Sequence, residues 1–251
     1  MYLLASDFDN TLLFDGQMKV EDVKAIHRFQ KKGHLFGVCS GRSLSGILKP
    51  SQPYGITYDF YILLSGALIL NKDQDVIFEK QIPLQLVMEI INDLQFKDAS
   101  IVYQDTMYSQ DPNCNSHLQY ISSFQKLNTQ TVSAFSLHFP KDELQQAKQT
   151  TDYINEKYGE HIVAFQNNEH IDMAMKGCSK GEGLKIIQDY FHLPDDKIHG
   201  IGDSWNDLPM LDAITNSYTF DYSNPSVQQH AKTIVNQLCS CIEDIEKKEN
   251  L

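Results

Sequence analysis

The sequence has no apolar run long enough to cross a bilayer, and it opens without the charged, apolar and small-residue pattern of a secretory leader. The expectation is a soluble cytoplasmic protein with no membrane partner. Basic residues are scarce, 21 Lys and Arg against 33 Asp and Glu, for a formal net charge of -12. No clustered basic face emerges, which excludes bulk recognition of nucleic-acid phosphates. The five cysteines, Cys39, Cys114, Cys178, Cys239 and Cys241, make neither a CxxC pair nor an even disulfide framework. They read as reduced thiols that mostly serve packing. The nine histidines show no metal-ligand spacing and receive no chemistry. Tryptophan occurs once, at Trp205, and is assigned to packing. Internal repeats and low-complexity linkers are missing as well.

What remains is a globular composition, 41% hydrophobic with 12 Tyr and 13 Phe, in a length that can bury a core as one large domain or two modest ones. LLASDF reads as a short buried parallel strand. TLLFDGQ carries a hairpin turn at Asp15-Gly16. Val23, Ile26 and Phe29 recur at helical spacing between Glu21 and Lys32, with Gly33 as the stop. HLFGVCS is strand-like, and FYILLSGALIL is a third apolar run interrupted at Ser65-Gly66. From about Gln81 to Lys176 helices and strands follow in no strict alternation, which suggests an α+β insert with one sheet. The α/β rhythm then resumes through SKGEGLKIIQDYFHL, DKIHGIGDS and NSYTF. EDIEKKEN is expected to be a solvated tail. The fold class is therefore α/β: a Rossmann-like parallel-sheet core, residues 1–82 and 177–251, with an inserted α+β domain at 83–176.

Four polar runs, DFDNT, SGR, SKG and GDSWND, follow or flank predicted core strands. In an open α/β sheet, ligands bind outside the carboxyl ends of the strands, so these runs should converge. Asp7, Asp9, Asp203 and Asp207 would gather four carboxylates, an oxygen-rich set that suits a hard cation such as Mg²⁺. Lys180 and the hydroxyls of Ser40 and Thr11 add donors for an anion. Such a site fits a phosphate, and a carboxylate free to attack phosphorus makes it a phosphoryl-transfer site.

DFDNT resembles the DxDxT signature of the haloacid dehalogenase superfamily. SGR resembles its second motif, Lys180 of SKG its third and GDSWNDLPML its fourth, in the same order along the chain. The insert lies between the second and third motifs, where the Cof-type branch of that superfamily carries a large cap domain. The resemblance implies a hydrolase, a phosphatase of small phosphomonoesters such as sugar, flavin or pyridoxal phosphates, which works through an aspartyl-phosphate. Asp7 would be the nucleophile and Asp9 the general acid, then base. Ser40 would bind a phosphoryl oxygen and Lys180 would balance charge.

On the same resemblance, Asp7, the Asp9 main-chain carbonyl and Asp203 would hold Mg²⁺, with Asp207 acting directly or through water. Thr11, Gly41, Arg42, Gly66 and Asn206 would line the phosphate or substrate. Asn10 stands where the branch has Gly, and Ser65 where it has Asn, so a side-chain amide that often meets substrate is missing. Gln104, Asp105, Tyr108, Asn113 and His117 are polar candidates for substrate preference in the insert. Two other functions share these motifs: a sugar phosphomutase or phosphotransferase, and a non-catalytic protein that binds a phosphorylated ligand.

Overall fold

The structure, a computed structural model, describes residues 1–114 and 116–249. The chain divides into two compact units, one of Met1–Ile77 with Ser179 onward and one of Phe78–Cys178. Among the described residues no helix is long and apolar enough to cross a membrane.

The first unit is built on an eight-stranded sheet in the order Thr233–Val235, Asn216–Phe220, Ile198–Ile201, Leu3–Ser6, Leu35–Cys39, Phe60–Leu63, Leu68–Asn71, Val76–Glu79. The first six run parallel. Leu3, Leu4 and Ala5 have no exposed surface, as expected of a continuous apolar strand covered on both faces. The sequence of one leading strand flanked on each side by later ones places the ends of Leu3–Ser6, Leu35–Cys39 and Ile198–Ile201 next to one another. The run FYILLSGALIL is two strands rather than one. Leu64, Ser65 and Gly66 all have positive φ (51°, 55° and 91°), so the chain doubles back and Leu68–Asn71 pairs antiparallel with Phe60–Leu63.

The helix Val20–Lys31 buries Ala25, Ile26 and Phe29, and Gly33 follows it at φ 85°. It also buries Asp22, whose Oδ1 accepts the Cys239 N–H at 2.7 Å as the chain enters the last helix, Leu238–Glu249. That helix corrects the expectation of a solvated tail. Ile242 and Ile245 are fully buried, and Glu246 is only 9% exposed. Glu246 takes ion pairs from Arg28 and Lys32 at 3.1 Å each, while Asp244 accepts from the Tyr218 hydroxyl at 2.8 Å. The tail's Asn250 lies outside the described residues.

The second unit has a six-stranded sheet in the order Gln119–Tyr120, Thr106–Ser109, Ala99–Tyr103, Ala134–His138, His170–Met175, Ile162–Asn167. Strand alternation with period two sorts its side chains. Ile101, Phe135, Leu137, Ile171 and Met173 face one way and form a core with Val87 and Ile90 of the helix Leu84–Leu94 and Ala147 and Ile154 of the helix Leu144–Tyr158. A fully buried Phe such as Phe135 contributes about 1.5–3 kcal/mol. Tyr108, one of the polar candidates, packs against this core. Gln104 and Asp105 are the left-handed turn residues between two strands, φ 48° and 59°. The opposite sheet face carries Ser100, Ser136, His138, His170 and Asp172 in register.

Candidate active site

Asp7 leaves the end of the first strand with its N–H donated to the Ile201 carbonyl at 2.9 Å, and the residue is 5% exposed. The chain then turns sharply: Leu12 and Leu13 donate to the Phe8 carbonyl, and Asn10 donates to Leu13 at 2.8 Å. Asn10 takes φ 57°, a left-handed position that Asn tolerates where most residues do not. Tyr222, far along the chain, donates its hydroxyl to the Asn10 carbonyl at 2.6 Å. Sequence reasoning missed Tyr222, because nothing local marks a loop tyrosine as the partner of a turn 212 positions away.

Lys180 is the first residue of the helix Lys180–Phe191, capped by Ser179, whose hydroxyl accepts the Glu182 N–H at 3.0 Å. Its ammonium is 1% exposed and donates to Asp7 Oδ1 and Asp207 Oδ1 at 2.5 Å each. The other Asp207 oxygen accepts the N–H groups of Asp203 and Ser204, both at 3.0 Å. Asp207, with no exposed surface, thus ties the loop after Ile198–Ile201 to Lys180. Gly202 permits this fold-back, since a Cβ there would collide with the Asp207 carboxyl. Gly66, expected near substrate, lies against the helix start: a Cβ on it would collide with the Ser179 carbonyl.

Asp7, Asp203 and Asp207 each offer an oxygen within 4.8 Å of the others. The cluster therefore holds three carboxylates, not the four expected. Asp9 stands apart in a two-pronged ion pair, Arg42 Nε and Nη2 each 2.7 Å from one of its oxygens. Thr11, expected to donate to phosphate, gives its hydroxyl to Asp203 Oδ1 at 3.1 Å. Ser40 is 2% exposed, and its hydroxyl oxygen accepts the Arg42 N–H at 3.1 Å, which leaves its own O–H to donate. Gly41 joins those two residues. Asn206 is buried in the short turn Trp205–Asp207, and the Trp205 ring nitrogen donates to Ser226 Oγ at 3.0 Å.

The electrostatics follow from crowding. Burial, then Asp207, hold the Asp7 carboxyl well above the usual carboxylate range. Burial and Asp207 also push Asp203 up to about 7. Burial works against a charged Lys180, but Asp207 and Asp7 outweigh it and keep the ammonium protonated. One lysine against three carboxylates leaves negative charge uncancelled, and every donor is a hard oxygen. That set fits a hard divalent cation.

A family model for haloacid dehalogenase-like hydrolases matches residues 4–239. The chain belongs to that family. As a haloacid dehalogenase-like hydrolase it is 23% identical over 252 residues to a Streptococcus pyogenes protein named as a bifunctional phosphatase and peptidyl-prolyl cis-trans isomerase; the match takes in 92% of this chain but 50% of that protein. It is 22% identical to the 5-amino-6-(5-phospho-D-ribitylamino)uracil phosphatase of Bacillus subtilis, over 84% of this chain and 83% of the relative. A solved haloacid dehalogenase-like hydrolase from B. subtilis shares its fold, with a TM-score of 0.84, 19% identity and full coverage of both chains. The protein is an enzyme, a hydrolase of the phosphatase type.

Proposed function

We propose that this hydrolase is a Mg²⁺-dependent phosphomonoesterase for small phosphorylated metabolites, with Asp7 as its nucleophile. The observation that carries this is the clamp on Asp7, a buried carboxyl at a strand end held on one side by Lys180 and crowded on the other by Asp203. Asp7, Asp203 and the Asp9 main-chain carbonyl would hold the ion. Asp207 would act through water, since both of its oxygens already accept hydrogen bonds. When bound, the ion supplies positive charge that offsets the crowded carboxylates and the phosphoryl oxygens.

The protein's own residues then divide the work. An Asp7 oxygen forms a bond to phosphorus as the ester P–O bond breaks, and the departing alkoxide takes a proton from Asp9. Asp9 then accepts a proton from water as that water attacks phosphorus, which releases inorganic phosphate and restores Asp7. To reach the leaving group Asp9 must part from Arg42. Both side chains are more than a third exposed, so water can solvate each group as the pair opens. Ser40 donates its hydroxyl to a phosphoryl oxygen, and Thr11 holds Asp203 in place. We assign substrate preference to the insert, residues 83–176.

Phosphate release from a panel of phosphomonoesters, with Mg²⁺ and with chelator, tests this for the wild type and Asp7→Asn. Release is expected to need both the ion and Asp7. The loss in Asp7→Asn should exceed the roughly 10²–10³-fold loss seen for a single oxyanion donor. Release that survives Asp7→Asn overturns the reading. Transfer only to an added alcohol, with no free phosphate, would make the protein a phosphotransferase.

A further inference from the structure

His138 and His170 are 32 positions apart in sequence, yet the second unit sets them directly opposite one another on adjacent antiparallel strands. Their Nδ1 atoms lie 3.0 Å apart, with the rings nearly perpendicular at 77°. Two neutral imidazoles that meet through the same nitrogen share one proton: one ring donates and the other accepts. With a metal ion in place of that proton, both Nδ1 lone pairs serve one centre. Two nitrogens bound at about 2.0–2.1 Å to a tetrahedral ion stand about 3.3 Å apart, so the rings need to part by a few tenths of an ångström and turn until both lone pairs converge on the ion.

The far side of the His138 ring is also prepared. A ligating imidazole carries its proton on the remote nitrogen and donates it to a hydroxyl, carbonyl or carboxylate that fixes the ring. His138 Nε2 meets Ser100 Oγ at 2.7 Å, while the carboxylate nearest His170 Nε2, Glu169, lies 3.9 Å away, beyond hydrogen-bond reach. Ser100 is 1% exposed, so its hydroxyl is a fixed partner rather than a mobile surface group. Asp172, on the same sheet face, is engaged by Ser136 at 2.8 Å and Asn167 at 3.4 Å.

We propose that His138 and His170 form a site for a divalent transition-metal ion of the zinc, nickel or copper kind, bound through their two Nδ1 atoms. Nitrogen donors select these ions over Mg²⁺, so the site shares neither residues nor ion preference with the carboxylate cluster. Water completes the coordination.

The test is calorimetric titration of the untagged full chain with Zn²⁺, in saturating Mg²⁺ so that the carboxylates do not compete. One Zn²⁺ per chain is expected. His138→Gln and His170→Gln should each weaken it at least about tenfold, Ser100→Ala about tenfold through loss of the ring's anchor, and Asp203→Asn should leave it unchanged. Zn²⁺ binding that is absent in the wild type, indifferent to both histidine variants, or lost in Asp203→Asn overturns the proposal. Should a histidine variant fail to fold, imidazole ¹⁵N spectra of the wild type decide: Zn²⁺ must shift both Nδ1 signals together.

Discussion

The two units solve the same problem, polar groups inside a fold, in opposite ways. The first unit buries full charges: Lys180, Asp7 and Asp207 are at most 7% exposed as side chains and hold one another at 2.5 Å. The second unit lines up mostly neutral groups, Ser100 with His138, His138 with His170 and Ser136 with Asp172. Opposite charges in a low-dielectric setting attract strongly, but each is costly if its partner goes. Neutral hydrogen bonds contribute less and cost less to lose. The charged arrangement gives reactive chemistry its field, and it makes that unit the more sensitive to mutation and to pH.

The sharpest way to break the contrast is Lys180→Met, which leaves the Asp7 and Asp207 carboxylates buried without their cation. We expect a loss of about 3–5 kcal/mol in urea unfolding, together with loss of turnover; a smaller loss would mean that the carboxylates simply take up protons. Next comes acid. His199 is 1% exposed, neither ring nitrogen has a hydrogen-bond partner among the described residues, and burial, then Lys248, hold it down at about 4. As pH falls from about 6.5 toward 4, the unfolded chain binds a proton that the folded chain refuses, so stability declines across that window. The shift is worth about 3 kcal/mol, and His199→Leu should flatten that part of the pH–stability curve. Smallest is Ser136→Ala in the second unit. It removes one donor to the half-buried Asp172 and should cost about 1 kcal/mol, which measures how mild the loss of a single hydroxyl is in this unit.

Much of the first unit was legible because its signals are local. A buried parallel strand announces itself as an unbroken apolar run, so LLASDF and HLFGVCS were recognisable, as was the Asp15-Gly16 turn. The motif residues Asp7, Ser40, Lys180 and Asp203 sit at strand and helix ends, where a short pattern can be read. The doubling back at Leu64–Gly66 was not legible, since two left-handed residues other than glycine carry no sequence mark. Nor was the docking of Leu238–Glu249, whose charged positions look solvated until Arg28 and Lys32 from a distant helix meet Glu246. Asp9 belonged by spacing with the other acids, yet Arg42 takes it out of the cluster.

The sequence by itself determined most of the strands and helices of the core, the α/β pattern interrupted by a stretch of different rhythm, and which residue types stand at the strand ends. Periodicity and capping are properties of a few consecutive residues, and they survive in one dimension. Only the tertiary structure decided which of those side chains meet. It joined Lys180 to two carboxylates, gave Thr11 to Asp203, brought Tyr222 to Asn10, and set His138 beside His170 after sequence spacing had denied the histidines any role. Strand register across a sheet makes such pairs, and it is fixed by the burial of the opposite face, a sum over the whole unit that no short stretch contains.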